Sequence, residues 1–358
     1  YFTSDREGRT NGLLPRPVMA RDVLAGRPIR FTSWNGFGSN IDQIARAAPL
    51  AGYFNSITDT DGVVRSIPLL AEYKGNYYES LSLAMFRMLA GQPEVVPGFP
   101  RDRFVSRGYT GLESVILKQG EKSLAIPVDD RVAALVPYRG FGGVAGGSFR
   151  YVSAADILSQ RVPVGTLRDK IVLVGTTAPG LLDLRVTPVG ETYPGVETHA
   201  NVISGLLDGK LFVKPDYAVG YEVVILLLAG LSLALALPLL SATRAVLVSV
   251  AVVLVVVGLN FYLFFGQGLV LPLASALMMA GLAFALNMSY GYFVESRSKR
   301  ELAHLFGTYV PPELVDEMVK DPDSYSMQAA SKDLTVMFCD MRGFTKLSEK
   351  MEPTQLQH

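Results

Sequence analysis

The amino-acid sequence predicts a multi-domain membrane protein, with an α/β domain ahead of three membrane-spanning helices and a smaller region after them. An apolar block covers residues 218–292, and the stretches 223–243 and 245–294 contain no charged residue. Strand and helix patterns alternate through residues 1–217, a length sufficient for one domain with its own core. Basic residues return after the block, so the chain continues there outside the lipid.

The apolar block divides into three segments, each of the roughly 20 residues that a helix needs to cross a bilayer. The breaks are at residues 241–244 and 266–268. A buried helical hairpin in a soluble protein is the alternative, but such a helix needs a polar face, which residues 245–257 lack. The predicted transmembrane helices are residues 218–240, 245–265 and 269–293.

The orientation in the membrane follows from the basic residues near the ends of the spans. These residues are Arg244 after the first span and Arg297, Lys299 and Arg300 after the third. The loop after the second span is uncharged. Lys214, just ahead of the first span, is one basic residue that does not fit this pattern. The positive-inside rule therefore places residues 1–217 outside the cytoplasm and residues 295–358 within it. We expect a multi-pass protein of the cell inner (plasma) membrane, with its first domain in the periplasm.

The net charge and the cysteine content further limit the class of protein. The 33 basic and 33 acidic residues cancel, but this balance averages two unlike regions. The only cysteine, Cys339, falls on the predicted cytoplasmic side, so the outer domain is expected to contain no disulfide. That domain has to be exported, and we expect an N-terminal membrane segment ahead of Tyr1. Because no basic stripe with interleaved aromatic residues is present, nucleic-acid binding has no support.

Two acidic turns flanked by apolar runs recur in the outer region. Asp61-Gly62 lies in the middle of residues 51–70, and this pair tolerates the left-handed conformations of a tight turn. Asp129-Asp130 repeats the pattern within residues 123–137. Each segment is predicted to form a β-hairpin.

Other outer segments are predicted from periodicity and from their end residues. Residues 170–175 form a continuous apolar run, which is typical of a strand buried on both faces. Residues 140–147 are rich in glycine but lack the Lys-Ser/Thr of a P-loop, so we expect a flexible connection. The predicted helices are a short one near residues 19–24, an amphipathic one at 79–90, one at 154–159 capped by Ser153, and one at 202–207.

The outer region resembles a sensor domain of the CHASE type, second class, over about residues 20–210. The matching features are Asp59-x-Asp61-Gly62-x-x-Arg65-x-x-Pro68, the run 170–175, Asp183 with Thr187-Pro188, and Pro194-Gly195-Val196-Glu197-x-His199-Ala200-Asn201. The resemblance implies an extracytoplasmic receptor domain placed before three spans and a cytoplasmic output domain. It does not imply a particular ligand.

Three polar residues of the outer region are candidates for contact with a sensed ligand. Asp183 is the first, because polar loop residues often face ligands. Asp61 either faces a ligand or shapes its turn. His199 forms with Glu197 either two metal ligands or a structural pair, and one such pair without partners is a weak metal signal.

The inner region begins with helical patterns. Residues 295–331 are predicted to be coupling helices, the first continuous with the third span and the second starting at Pro311-Pro312. The first helix carries Leu302, Leu305 and Phe306 on one side, which suits pairing with a second copy of the chain. We therefore expect a homodimer. His304 is expected to be an exposed helix residue.

The segment 332–358 contains the one sequence pattern that indicates a catalytic site. An apolar run ends in Asp340, and the turn at Gly343 opens a helix, so a carboxylate stands beside the unpaired N–H groups of a helix N-terminus. This arrangement suits a metal ion bound together with a polyphosphate. The alternative is a buried strand whose terminal aspartate only caps the next turn.

Phe338-x-Asp340-Met341-Arg342-Gly343-Phe344-Thr345 closely resembles the opening of the catalytic domain of class III nucleotide cyclases. The resemblance implies a ferredoxin-like α/β domain, two magnesium ions (or manganese), and formation of cyclic AMP and pyrophosphate from ATP. By it, Asp340 and the Met341 carbonyl bind metal, and the Gly343, Phe344 and Thr345 amides hold phosphates. The family's second aspartate and its purine-contacting residues come beyond His358, so residues 1–358 alone are expected to be inactive. A guanylate cyclase and a non-catalytic receptor or scaffold remain alternatives.

Overall fold

The computed structural model describes the chain at residues 1–4, 7–24, 27, 29–48, 50–100, 111–177, 180, 183–306, 333, 335–349 and 351. The chain divides into two compact units, residues 1–288 and residues 289–358.

The first unit opens with short strands mixed with helices. Its strands are β1 (Phe2–Thr3), β2 (Thr10–Asn11), β3 (Thr32–Ser33), β4 (Gly36–Gly38), β5 (Ser66–Pro68), β6 (Leu70–Tyr73), β7 (Asn76–Glu79), β8 (Glu94–Gly98), β9 (Ser114–Gln119), β10 (Lys122–Pro127), β11 (Ala133–Leu135), β12 (Leu184–Thr187) and β13 (Gly190–Pro194). Its helices are a 3-10 turn (Arg21–Leu24), α1 (Asp42–Ala47), α2 (Leu81–Leu89), α3 (Ala154–Leu158) and α4 (Gly195–Asp208). This mixture confirms the predicted α/β class of the region.

The strands form small sheets. β4 lies between β1 and β2, β6 between β3 and β7, and β9 between β8 and β10. β11 pairs with β5, and β12 pairs with β13. The pairs β2–β4 and β3–β6 are parallel, and the other pairs are antiparallel.

The largest hydrophobic core encloses one face each of α2 and α4. Leu83 of α2 and Val202 of α4 are completely buried in it. α2 forms within the predicted residues 79–90, because its apolar residues recur at helical spacing and the Ser80 side chain accepts a hydrogen bond from Leu83 N. Helix packing thus fixes α4 against the sheets.

Three long helices follow α4. They are α5 (Ala218–Ala236, extended by a 3-10 turn at Leu237–Leu239), α6 (Ala242–Gln267) and α7 (Ala274–Phe306). Their apolar segments of 22, 26 and 20 residues are long enough to cross a membrane, as predicted. Leu233, Ala245 and Ala280 are buried where the helices meet, and the small residues permit close approach.

The two predicted β-hairpins are wrong in their pairing, although both turns form. Asp59 N donates to Val63 O at 2.9 Å and Gly62 N to Asp59 O at 2.9 Å, which closes the first turn. Beyond it, β5 pairs with β11, while Tyr53 bridges to Ser80. The second segment, residues 123–137, does not form a hairpin with itself either. Its first strand, β10, pairs with β9, and its second, β11, pairs with β5. Turn residues specify a local reversal, whereas burial of the flanking runs selects their partners.

The predicted buried strand at residues 170–175 is also wrong. None of these residues belongs to a strand, and Val174 exposes 89% of its surface. β12, the next strand, pairs with β13 instead, so no described strand bonds the backbone of the apolar run. Its last residue, Gly175, lies against Val196 at the start of α4 but is itself exposed.

The second unit contains the end of α7 and a short segment around Asp340. α7 continues past the third span to Phe306, as predicted, and the predicted helix at Pro311-Pro312 lies outside the described residues. The apolar run before Asp340 is not a strand in the described residues 335–340, where Phe338 is 95% exposed and no described strand pairs with it. The predicted helix after the glycine turn forms as α8 (Phe344–Ser348).

Candidate functional site

Helix α4 begins at Gly195, rather than at Val202 as predicted. Gly195 N donates to the backbone oxygen of Asp183 at 2.8 Å. The Asp183 carboxylate lies so close to the Gly195 Cα that a β-carbon there would overlap it. Glycine is required for this approach, and the carboxylate is favoured by the positive end of the helix dipole. Gly195 therefore lets Asp183 cover the N-terminus of α4.

His199 lies on the side of α4 that meets α2 and is only 5% exposed. Its Nδ1 is 2.8 Å from Ser82 Oγ, and its Nε2 is 3.2 Å from the Phe54 carbonyl oxygen. Because a carbonyl only accepts, Nε2 carries a proton, and in the neutral ring Nδ1 then accepts from the Ser82 hydroxyl. Burial lowers the pKa of His199, against a smaller opposing effect of the Phe54 bond and of the Asp183 charge. The imidazole is therefore a neutral link between α4, α2 and residue 54.

Glu197 is 2% exposed and holds the glycine-rich loop onto α4. Its Oε2 accepts from Gly143 N at 2.7 Å and from the Tyr151 hydroxyl at 2.7 Å. Burial, followed by the bond to Glu197, raises the pKa of Tyr151. The other oxygen, Oε1, is buried without a hydrogen-bond partner in the described part of the chain. Glu197 thus holds the loop 140–147 against α4. Its Oε1 can still accept a hydrogen bond from one more donor.

Asn201 is completely buried and joins α4 to two further segments. Its Nδ2 donates to the Tyr193 hydroxyl at 2.7 Å and to the Glu197 backbone oxygen at 2.8 Å, and its Oδ1 accepts from Arg139 N at 3.1 Å. Burial raises the pKa of Tyr193 to about 12, so the phenol stays protonated at neutral pH. Asp183, Glu197, His199 and Asn201 are the polar residues at and beside the start of α4, here called the α4 junction.

The Glu197-x-His199 pair does not form a metal site in this structure. Residues two apart on a helix point in nearly opposite directions, about 200° around the axis. Glu197 accordingly faces the glycine-rich loop, while His199 faces α2. Throughout the described residues, no group of three His, Cys, Asp or Glu side chains is placed to hold a metal ion. The alternative, that Glu197 and His199 have structural roles, therefore accounts for both residues.

Asp61 lies in the acidic turn, where Arg65 binds it. Arg65 Nη1 is 2.8 Å from Asp59 Oδ2, and its Nη2 is 2.7 Å from Asp61 Oδ2. The hydrogen bond from Arg65 lowers the pKa of Asp61 to about 2. Val64 N donates to Val186 O at 2.8 Å, which attaches this turn to β12. Asp59 and Asp61 therefore shape the turn, and contact of Asp61 with a ligand stays a prediction.

Asp183 and His199, two of the three candidate residues, come together at the α4 junction. The side chain of Asp183 is one-third exposed, with its Oδ1 at 3.4 Å from Arg185 Nη2, whereas His199 is buried. Asp183 is thus the candidate that a ligand reaches without rearrangement. Sequence reasoning missed Ser82, Phe54 and Tyr151, whose contacts with α4 follow no local spacing.

Comparison with families of known domains assigns the outer region. The CHASE2 domain matches residues 12–237, more than half of the chain, and the match includes the α4 junction and the Asp59–Arg65 turn. The chain belongs to the CHASE2 family. No curated protein and no solved structure matched this chain.

A CHASE2 domain is an extracytoplasmic sensor domain, and with three apolar helices behind it this chain is a membrane receptor. The CHASE2 match ends at residue 237, inside the 3-10 turn that extends α5. The family pattern thus continues from the domain into the first span. Between them, α4 ends at Asp208 and α5 begins at Ala218, so a short connection separates the α4 junction's helix from the membrane.

The inner candidate residues lie on an exposed turn of the second unit. Gly343 adopts a φ of 87°, which favours glycine, and Phe344 N donates to the Met341 carbonyl oxygen at 3.1 Å. That carbonyl keeps a second lone pair, but the Phe344 N–H is already used. Asp340 precedes the turn, and Thr345 lies in the first turn of α8. The amide assignments for phosphate binding stay predictions.

The donor types at this turn fit magnesium only in part. Asp340 and the Met341 carbonyl supply oxygen ligands, which Mg²⁺ prefers, and magnesium sites commonly combine one or two carboxylates with substrate phosphates and water. One carboxylate and one carbonyl do not define two octahedral ions. Asp340 and the Met341 carbonyl would therefore supply part of the ligand set of one metal ion.

Proposed function

We propose that this chain is the sensing and membrane-embedded part of a receptor adenylate cyclase, which converts ATP to cyclic AMP and pyrophosphate under the control of its CHASE2 domain. The supporting observation is the run from Phe338 to Thr345, which resembles the opening of a class III catalytic domain and follows a sensor and three spans. In this proposal Asp340 and the Met341 carbonyl hold one magnesium ion. Bound magnesium supplies neutralisation of phosphate charge during phosphoryl chemistry.

The proposed orientation places the CHASE2 domain in the periplasm and residues 295–358 in the cytoplasm of a bacterial inner membrane. Val213 N donates to Gly268 O at 2.9 Å, and Val270 N to Val213 O at 2.8 Å. The chain just ahead of α5 therefore lies beside the loop between α6 and α7, as two ends on one side of a bilayer would. Arg244 lies at the opposite ends of α5 and α6, consistent with the positive-inside rule.

Signal transfer is proposed to begin at the α4 junction. A small molecule or protein that contacts Asp183 would bias the position of α4, which the short connection joins to α5. A homodimer would convert a change in span packing into a change in the alignment of two catalytic domains. The ligand itself is not specified by the residues.

Production of cyclic AMP by the protein that contains this chain tests the proposal. Asp340→Ala is expected to lower the rate at least about tenfold, since a metal ligand is lost. Asp333→Ala is the matched control, because it removes a nearby exposed carboxylate of the same segment and should leave the rate unchanged. Equal activity in the two variants would refute the metal assignment. Cyclic GMP from GTP instead would indicate a guanylate cyclase, and neither product would indicate a non-catalytic receptor.

A further inference from the structure

An open cleft lies beside the sheet formed by β3, β6 and β7. Its volume is about 440 Å³, which is within the range of small-molecule sites. The residues that line it come from two segments far apart in the chain, 29–33 and 72–77. These segments meet because β3 pairs in parallel with β6. The cleft is therefore a product of the fold of the whole domain and not of one local loop.

One row of paired residues crosses the three strands at the cleft. Ser33 of β3 is opposite Glu72 of β6, and Glu72 is opposite Tyr77 of β7. Paired residues in neighbouring strands direct their side chains to the same face of a sheet, and these three residues all line the cleft. The ring centroid of Phe31, which also lines it, lies 4.5 Å from that of Tyr77. Polar and aromatic groups thus stand side by side in the cleft.

Arg30 and Glu72 bring opposite charges to the same cleft. Among the described residues, no ion pair joins the exposed Arg30 to Glu72 or to another carboxylate. Glu72 Oε1 accepts from Gly75 N at 2.5 Å, which leaves its Oε2 for another donor. The cleft therefore presents one guanidinium and one carboxylate oxygen to a bound molecule.

These two groups favour a ligand that carries both charges itself. A guanidinium binds a carboxylate through two parallel hydrogen bonds, and a carboxylate oxygen accepts from an ammonium group. An α-amino acid carries a carboxylate and an ammonium group on one carbon atom. Ile29, Phe31 and Tyr77 add apolar surface to the cleft, which suits an apolar or aromatic side chain.

We propose that this cleft binds a free α-amino acid with an apolar or aromatic side chain. Arg30 bonds the carboxylate of the ligand, Glu72 Oε2 accepts from its ammonium group, and the Phe31–Tyr77 pair packs against its side chain. The cleft lies within the residues that match the CHASE2 domain, and no residue of the α4 junction lines it. The assignment does not depend on the proposed cyclase chemistry.

The cleft is connected to α4 through β7 and α2. β7 carries Tyr77 and ends at Glu79, and α2 begins at Leu81. In the first turn of α2, Ser82 Oγ is 2.8 Å from Nδ1 of His199 on α4. A ligand that shifts β7 therefore acts on α4 through α2, which gives the proposed site a route to the helix that precedes the first span.

Calorimetric titration of the full chain in detergent tests the proposal. The probes are L-leucine, L-isoleucine, L-valine, L-methionine, L-phenylalanine, L-tyrosine and L-tryptophan, and at least one should bind saturably. For that amino acid, the amide derivative lacks the carboxylate and the N-acetyl derivative lacks the ammonium group. Each derivative should bind at least about tenfold more weakly, because a charge-assisted hydrogen bond is lost. Absence of saturable binding by all of the amino acids overturns the proposal.

Two variants assign each charge of the ligand to its residue. Arg30→Gln should weaken binding at least about tenfold and remove the preference for the amino acid over its amide, since the group that recognises the carboxylate is lost. Glu72→Gln should likewise remove the preference over the N-acetyl derivative, while its side-chain oxygen still accepts from Gly75 N. Arg168→Gln and Glu121→Gln, at exposed residues outside the cleft, are the matched controls and should bind normally. Unchanged affinity in Arg30→Gln or Glu72→Gln, or an equal loss in the controls, overturns the site.

Discussion

His199 Nε2 lies 3.2 Å from the carbonyl oxygen of Phe54, and this hydrogen bond joins α4 to the segment whose next residue, Asn55, bonds the backbone of β1. The same imidazole reaches Ser82 of α2 with its other nitrogen. One buried side chain thus connects three parts of the CHASE2 domain. Its protonation state and its contacts provide direct tests of the α4 junction.

Stability of the domain should depend on pH through His199. Burial lowers the pKa of this group in the folded chain below its unfolded value of about 6.5. As the pH falls from about 6.5, the unfolded chain binds a proton first, so stability decreases until the lowered folded pKa is passed. Above about pH 7 the stabilisation is complete. Unfolding temperature measured from pH 5 to 8 checks this dependence.

The matched comparison for that experiment uses His304, which lies on α7. His199→Gln should flatten the pH dependence between 5 and 7, whereas His304→Gln should retain it. The buried carboxyls Glu79 and Asp129, whose pKa values burial raises, are common to all three proteins. The difference curves therefore isolate His199, and a retained slope in His199→Gln would contradict its assignment.

Arg87 should be important for folding, because it neutralises a buried carboxylate. Arg87 Nη1 is 2.5 Å from Glu79 Oε1, and the two side chains expose only 10% and 3% of their surface. Arg87→Met leaves Glu79 buried and unpaired, which should cost about 3–5 kcal/mol of unfolding free energy. The exposed pair Arg46–Asp42 is the control, and Arg46→Met should cost under about 1 kcal/mol. Urea unfolding measures both, and similar losses would refute the argument.

Gly195→Ala should destabilise the start of α4. The added methyl group would overlap the Asp183 carboxylate, and such overpacking costs about 1–3 kcal/mol. Gly190→Ala is the control, because no atom lies within 4 Å of a β-carbon there, and it should change stability by less than about 0.5 kcal/mol. Adding Asp183→Ala to Gly195→Ala should recover part of the loss. No recovery would show that the collision is with another group.

The spans and α2 were predictable because their signals are local. A charge-free stretch of bilayer length has few alternatives, and α2 shows apolar residues at helical spacing behind an N-cap serine. The pairing of strands was not predictable in this way. The Asp59–Gly62 turn forms, yet β5 pairs with β11, because partners are chosen by burial across the whole domain.

The α4 junction shows the same limit at the level of a site. Asp183 and His199 could be chosen as candidates from the sequence. Their contacts could not be predicted, because they depend on residues far away in the chain. His199 is held by residues 54 and 82, and Glu197 by residues 143 and 151. A Glu-x-His pattern does not reveal that its two side chains face opposite partners. The strand predicted at Lys170–Gly175 was wrong for a related reason, since an apolar run forms a buried strand only where a neighbouring strand pairs with it.

The central claim, that the CHASE2 domain and the residues after α7 lie on opposite sides of one membrane, is tested most directly by cysteine labelling. Cys339 is the only cysteine and is exposed. A membrane-impermeant maleimide applied to intact spheroplasts should leave Cys339 unmodified, and should label Lys74→Cys in a Cys339→Ser background, with both labelled after permeabilisation. Labelling of Cys339 but not of residue 74 in intact spheroplasts would contradict this orientation and the receptor account built on it.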